Sequence, residues 1–229
     1  MLKEILDKYC LDREKGKKRE QTCFYLSEAG KCGRSIFLKF KNMPAKEKEA
    51  HFLRLFEHGE HMHQLIMNAL VSTRDIHVVA SEVDIPPQQL VRGRADAILS
   101  DKKQLYVLDI KSMNSMVFRS MLEAKPENID QLQLYLHYFE IPKGILLYVN
   151  KDNLDLKEYI FDYDKNRAEF LIEGLSNLRE KIDSNILPSR IPGYPEDWQC
   201  RFCGYKEICD KAEPNEMAWN EFKTKILGN

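Results

Sequence analysis

The 229-residue sequence contains no run of eighteen or more apolar residues, so it offers no segment suited to a membrane-spanning helix. The N-terminal stretch MLKEILDKYCLDREKGKKRE lacks both an apolar core and a small-residue cleavage site. Export is therefore not expected, and a cytoplasmic setting with no membrane partner is. Neither sign of charge is in excess: 35 basic residues face 36 acidic ones, for a formal net charge of −1. That excludes a histone-like basic binder, and any affinity for nucleic acid must come from local patches. Two such patches are Arg13 to Arg19, which also reads as a solvated terminal segment, and Arg92 with Arg94. Internal repeats, low-complexity tracts and Gly/Ser linkers are missing too, which points to one domain over 1–229.

Against those absences stands an ordinary globular composition, 43% hydrophobic and 31% charged, on a chain long enough to bury a full core. Pro44 to Val71 reads as a helix, with Phe52, Phe56, Gly59, His63, Ile66 and Leu70 spaced along one face. Three strand-like runs follow at 76–85, 90–99 and 104–111, separated by turn-prone PPQ and SDKKQ, so close-set antiparallel pairing is expected. A helix over 127–139 leads through Pro142 and Gly144 to strands at 144–150 and 154–161. A long amphipathic helix then covers 165–184, and the proline-rich chain beyond it reads as irregular. This order predicts an α/β (α+β) fold, a central mixed β-sheet flanked by helices.

The densest chemical signal is VRGRADAIL followed by VLDIKS. Strand residues two apart share a face, so Asp109 and Lys111 project together at the end of the row that Leu105 and Val107 begin. Asp96, on the neighbouring strand, brings a second carboxylate into range. Two adjacent carboxylates repel unless a divalent cation lies between them, and hard oxygen donors suit Mg²⁺ or Mn²⁺. D-x-K alone is also a common solubilising pattern of edge strands. His63 shifts the balance, because of His51, His58, His61 and His63 only the last lies on the apolar stripe, and Gly59 one turn earlier clears space for it. A neutral imidazole there can ligate a metal. Gln131, Tyr135 and Tyr138 form a stripe on the next helix, which spacing alone leaves open between core cover and site.

The six cysteines lie at 10, 23, 32, 200, 203 and 209. In a reducing compartment they are not expected to form disulfides. Cys200-x2-Cys203-x5-Cys209 points to a metal, with one ligand short of the usual four. Cys32 is the best upstream candidate for the fourth, Cys23 the reserve, and Cys10 reads as an apolar residue. Spacing does not separate Zn²⁺ from an iron–sulfur cluster.

Taken in order, G-x3-H at His63, G-x2-D at Asp96, D-x-K at Asp109 and Lys111, and Q-x3-Y at Gln131 and Tyr135 resemble the RecB-like nucleases of the PD-(D/E)XK superfamily. The cysteine pattern resembles that superfamily's iron–sulfur branch, which includes CRISPR adaptation-associated exonucleases and AddB-type nuclease domains. The resemblance spans about residues 27 to 210. It implies a restriction-endonuclease-like core over about 45–165, stapled by a cysteine region built from about 20–40 and 185–212. It implies that His63, Asp96, Asp109 and the carbonyl of Ile110 bind a Mg²⁺ or Mn²⁺ ion, that Lys111 is catalytic, and that Gln131 and Tyr135 assist. It also implies that Cys32, Cys200, Cys203 and Cys209 hold a [4Fe–4S] cluster, with zinc as the alternative. The expected activity is hydrolysis of DNA from single-stranded or free ends, beside CRISPR adaptation (antiviral defence) or recombination proteins. The rival readings are an inactive DNA-binding adaptor and a zinc-stapled RNA-processing nuclease. Glu82 is a further carboxylate near the site, and this chain carries Asp109 where the family often has glutamate.

Overall fold

The computed structural model describes residues 1–15 and 20–228, so most of the basic run ending at Arg19 lies outside the described residues. The chain opens with helices α1 (Leu2–Lys15) and α2 (Gly33–Phe40), neither of which the sequence pattern anticipates. Helix α3 (Ala50–Ser72) precedes three strands: β1 (His77–Asp84), β2 (Arg94–Ser100) and β3 (Leu105–Met113). Then come α4 (Ser115–Ser120), α5 (Pro126–Phe139), β4 (Lys143–Asn150), β5 (Leu156–Asp162) and α6 (Lys165–Asp183). The C-terminal part holds α7 (Trp198–Arg201), α8 (Lys206–Lys211) and α9 (Trp219–Leu227).

The five strands form one mixed sheet in the order β1-β2-β3-β4-β5, as the alternation of strands and helices predicts. All neighbours are antiparallel except β3 and β4, whose parallel pairing runs from Tyr106–Lys143 to Met113–Asn150. A parallel neighbour needs a crossover, and α4 and α5 supply it. Pro126 starts α5 at a position where its missing N–H costs nothing, and Glu140 ends it in the left-handed conformation, φ 55°.

Each face of the sheet has its own core. On one face Val107, Leu146 and Tyr148 pack with Leu132, Tyr135 and Leu136 of α5 and Leu171, Leu175 and Leu178 of α6. On the other, Ala97, Leu99, Leu108, Ile110, Ile145 and Val149 meet Met62, Ile66, Met67 and Leu70 of α3. The alternation along β3, Val107 to one face and Leu108 and Ile110 to the other, is the period of two expected of a strand covered on both sides.

Three boundaries differ from the sequence expectation. Helix α3 begins at Ala50 rather than Pro44, because the charged 44–49 segment stays non-helical and Lys46 N bonds Gly204 O at 2.8 Å. Its apolar stripe buries only from Met62 onward, while Phe52 and Phe56 remain 38% and 56% exposed. The run 90–99 is broken at Gly93: Val91–Arg92 pairs in parallel with Phe24–Tyr25 in a separate two-stranded piece, and β2 begins at Arg94. A side chain at Gly93 would lie 2.6 Å from Leu26 Cδ1, so this close crossing requires glycine. The segment after α6 is irregular only in part, since it contains α7, α8 and α9. Among the described residues no helix is long and apolar enough to cross a membrane.

The seat of α5 on the sheet is set by Gly144, where a Cβ would fall 2.7 Å from Leu132 Cδ1. Gly144→Val is expected to destabilise the protein by about 1–3 kcal/mol through overpacking, and Leu132→Ala by about 2–5 kcal/mol through the space it empties. In urea melts the double variant should lose clearly less than the sum of the two, because the added branch occupies the vacated volume. Simple additivity would show that this contact does not seat the helix.

Candidate active site and cysteine site

The antiparallel ladder between β2 and β3 ends at Ala97–Leu108. Beyond that pair the backbone partner is replaced by a side chain: Ile110 N donates to Asp96 Oδ2 at 2.6 Å. The other carboxylate oxygen, Oδ1, lies 3.0 Å from His63 Nδ1. Asp96 therefore ties α3 to the opened end of the sheet and fixes the imidazole. Gly59 serves this approach in a different way from the one its spacing suggested. A Cβ there would meet Ser112 Oγ at 3.1 Å, so its absence lets α3 lie close to the end of β3, and His63 reaches the carboxylate one turn later.

From the same strand end Asp109 and Lys111 project on one face. Asp109 is 4% exposed. Its Oδ1 accepts from Lys111 Nζ at 2.9 Å. Its Oδ2 is ion-paired with the same ammonium group at 2.7 Å and, though buried, accepts no hydrogen bond. Lys111 Nζ also donates to Gln131 Oε1 at 3.0 Å. Gln131 Nε2 donates to Tyr135 Oη at 3.1 Å, and that hydroxyl donates to Arg94 O at 2.5 Å. One connected path thus runs from the buried carboxylate through lysine, amide and phenol to the backbone at the start of β2.

Burial pushes the Asp109 carboxyl above the ordinary carboxylate range; Lys111 opposes this, and the nearby charge of Asp96 adds to it. Burial likewise raises Tyr135, and Asp109 adds to the effect, so the phenol stays a neutral donor at physiological pH. The arrangement is one carboxylate charge richer than its single ammonium can balance. Among the described residues no three His, Cys, Asp or Glu side chains stand close enough to form a preassembled ion cage. The donor chemistry nonetheless fits a hard divalent cation: two carboxylates, an imidazole and an orphaned buried oxygen lie around the opened strand end.

The remaining polar candidates sit at the margin. Arg94 is exposed, and its guanidinium is shared by Asp84 at 3.1 Å and Glu82 at 3.5 Å. Its backbone carbonyl, not its charge, belongs to the network above. Arg92 is exposed on its short strand. Glu82 is exposed and held at φ 49°, a strained position for a side-chain-bearing residue. Arg13 pairs with Glu57 at 3.0 Å.

Cys32, Cys200, Cys203 and Cys209 lie in one region around α2, α7 and α8, and here too no three of them among the described residues form a preassembled ion cage. Cys32 precedes α2, and its amide donates to Gln199 Oε1 at 2.9 Å, beside Cys200 in α7. Burial raises the Cys32 thiol, the amides of Ser35 and Arg34 oppose it, and Cys203 and Cys209 push it further up. Cys200 is raised by burial first and then by Cys32, Asp197, Cys203 and Cys209. Cys32 and Cys200 therefore each lie within electrostatic range of the C-terminal cysteines. Cys10 is buried and neighbours Arg54 and Leu53, consistent with an ordinary packing role. Residues that spacing missed are Arg34 and Ser35, which touch Cys209 and Cys203; both lie within three positions of Cys32, and that proximity was the only signal available.

Comparison with known proteins adds independent findings. The family model described as the PD-(D/E)XK nuclease superfamily matches residues 27–210. The CRISPR-associated exonuclease Cas4 of Saccharolobus solfataricus is 28% identical over 120 residues, which cover 52% of this chain and 52% of that protein. The chain thus matches about half the length of that relative. A crystal structure of the protein designated SSO0001 superposes with TM-score 0.58 at 22% identity, covering 91% of this chain and 96% of the other. An alkaline exonuclease from Laribacter hongkongensis superposes with TM-score 0.52 at 10% identity, covering 77% and 92%. These two structures share the fold.

The unbalanced carboxylates generate a binding prediction that does not depend on catalysis. Mn²⁺ is expected to raise the melting temperature of the chelator-treated protein, by the equivalent of about 2.7 kcal/mol at a hundredfold excess over Kd. Asp109→Asn should abolish that rise. An equal rise in the variant would place the ion elsewhere.

Proposed function

Because the chain belongs to the PD-(D/E)XK nuclease superfamily, we propose that it is a metal-dependent DNA nuclease, an exonuclease on single-stranded or free DNA ends. The observation that carries this reading is Asp109, a buried carboxylate with an orphaned oxygen, held beside Lys111 and across from Asp96 and His63. His63, Asp96, Asp109 and the Ile110 carbonyl are the residues that would hold Mg²⁺ or Mn²⁺. Such an ion, when bound, polarises a phosphoryl oxygen and lowers the pKa of a coordinated water.

The protein's own groups supply the rest. Lys111 is held between Asp109 and Gln131, so its ammonium is aimed without the entropy cost of a free lysine. From there it orients the attacking water and offsets charge on the phosphate oxygens in the transition state. Gln131 and Tyr135 fix Lys111 from behind. Tyr135 is buried and anchored on Arg94 O, which makes it a support for Gln131. Asp96 holds the His63 ring and sets which of its nitrogens faces the site. Arg92 and Arg94 are proposed contacts for the DNA backbone, Arg94 after exchange of its carboxylate partners.

In the same reading Cys32, Cys200, Cys203 and Cys209 hold a [4Fe–4S] cluster that joins the regions 20–40 and 185–212 to a nuclease core over 45–165 in one domain. The name of the matched relative, a CRISPR-associated exonuclease, supports placing the chain among cytoplasmic DNA-processing proteins that act in CRISPR adaptation or recombination.

Lys111→Ala, purified with unchanged circular dichroism, is expected to lose about 10²–10³-fold in Mn²⁺-dependent cleavage of single-stranded DNA. Asp109→Ala should lose at least as much. Undiminished cleavage in the lysine variant sinks the mechanism, and preferential cleavage of matched RNA redirects the substrate assignment. Protein purified without oxygen should be brown and contain iron and labile sulfide. A colourless, zinc-containing protein would overturn the cluster assignment while leaving the nuclease assignment intact.

A further inference from the structure

Arg34 is the largest side chain with almost no exposure in the protein, at 1%. Buried arginines normally pair with carboxylates, because an isolated charge in a low-dielectric interior is expensive. Arg34 has no carboxylate oxygen within 4.0 Å among the described residues. Its hydrogen bonds go to neutral carbonyls: Pro188 O at 2.7 Å, Glu213 O at 2.8 Å, Asn215 O at 2.9 Å and Pro214 O at 3.3 Å. The remaining partner is Cys209 Sγ, 3.8 Å from its Nη1.

A second arginine converges on the same residue. Arg190 donates to Cys209 O at 2.6 Å and to Ala212 O at 2.7 Å, and its Nε is buried with no partner. It too lacks a carboxylate among the described residues. The acidic groups nearby are engaged elsewhere: Asp210 with Lys206, Glu213 with Lys225, and Asp197 with the amide of Gln199. Of these carboxylates only Glu213 senses Arg190, and none reaches Arg34 within 4.0 Å among the described residues, so the nearest group able to carry negative charge against Arg34 is the Cys209 sulfur. Guanidinium groups stay protonated when buried, so this imbalance cannot be relieved by losing a proton. Tyr205 N adds a neutral donor to Cys203 Sγ at 3.4 Å, and the same sulfur donates to Ser35 Oγ at 3.9 Å.

We propose that Arg34 is the built-in counter-charge of the four-cysteine centre and that it raises the centre's reduction potential. The inference rests on the iron–sulfur reading above. Four thiolates around a doubly positive [4Fe–4S] core leave two negative charges, and one added electron makes three. A fixed cation against one sulfur stabilises the more negative, reduced form more than the oxidised one, and net charge and hydrogen bonds to sulfur set such potentials. The same guanidinium holds the carbonyls of 188 and 213–215 against α2. Arg34 is thus a tuning and positioning residue, remote from the scissile phosphate.

The test is the one-electron midpoint potential of the holoprotein, measured anaerobically by dithionite titration with paramagnetic resonance detection. Arg34→Gln removes the charge and keeps a donor; Arg34→Lys keeps the charge and loses the planar fork. The glutamine variant is expected to favour the oxidised form at least tenfold more than the wild type, a fall of about 59 mV for one electron. The lysine variant should stay within about twofold of the wild type in the same ratio. Equal shifts in both variants, or no shift in either, overturn the proposal. Should Arg34→Gln fail to fold by circular dichroism, the pH dependence of Arg34→Lys decides, because a lysine can lose its charge where arginine cannot. A potential that falls at least about 59 mV further than the wild type's between neutral and alkaline pH supports the proposal, and parallel pH profiles, or a tenfold shift at neutral pH, overturn it. A wild-type protein with no reducible chromophore instead removes the iron–sulfur reading, and the proposal with it.

Discussion

The bond from Ile110 N to the Asp96 carboxylate is the constraint on which the candidate site depends. It occurs where two antiparallel strands stop pairing, at a point where a backbone amide must find another acceptor or remain unsatisfied. By accepting there, Asp96 keeps the strand ends apart without loss of hydrogen bonding, and the gap exposes the Asp109 side of β3. The second oxygen of the same carboxylate takes up His63, so the position of α3 over the sheet and the opening of the sheet are coupled through one side chain. Replacing it with an apolar residue would disturb both, a reason to separate fold from activity in any variant of this residue.

The opposite face of the sheet supports the site by a different means. Helix α5 is pressed onto β4 because Gly144 leaves room for Leu132, and the next position along the helix, Gln131, meets Lys111. Tyr135, one turn later, is buried in the large core and anchored at Arg94 O. Packing thus orders the polar chain Lys111–Gln131–Tyr135, and its rigidity comes from apolar neighbours rather than from the hydrogen bonds alone.

Much of the sheet and the site was legible in the sequence, for physical reasons. Period-two runs and turn residues marked all five strands, and the position of His63 on an apolar stripe singled it out from three other histidines. Spacing also brought Asp109 and Lys111 to one face. What was not legible depended on tertiary partners. Phe52 and Phe56 share the helical period of Ile66 and Leu70, but the sheet extends only under the later turns, so identical spacing gave different burial. Helix α2 is too short for periodicity to declare itself, and nothing local marks Arg34 as buried, since the carbonyls that surround it come from 188 and 213–215, 154 to 181 residues away in sequence. Arg94 shows the converse: a plausible phosphate contact by sequence that the fold supplies with two carboxylates.

The two sites carry opposite electrostatic debts within a chain of almost zero net charge. At the strand end, Asp96 and Asp109 outnumber the ammonium of Lys111, and burial raises Asp109 against the opposing pull of Lys111 and His63. At the cysteine locus, Arg34 and Arg190 stand without carboxylates beside four sulfurs. Neither imbalance is visible in composition, because the net charge of −1 sums over the whole chain. In the proposed reading a hard cation would balance the first, and thiolates gathered on a metal centre the second. On this argument the carboxylate site can exchange its ion with solution, since Asp96 and His63 are part-exposed. At the proposed cysteine centre the counter-cation, Arg34, is instead locked into the carbonyls of 188 and 213–215. Loss of that centre would strand a buried charge and loosen those bonds together.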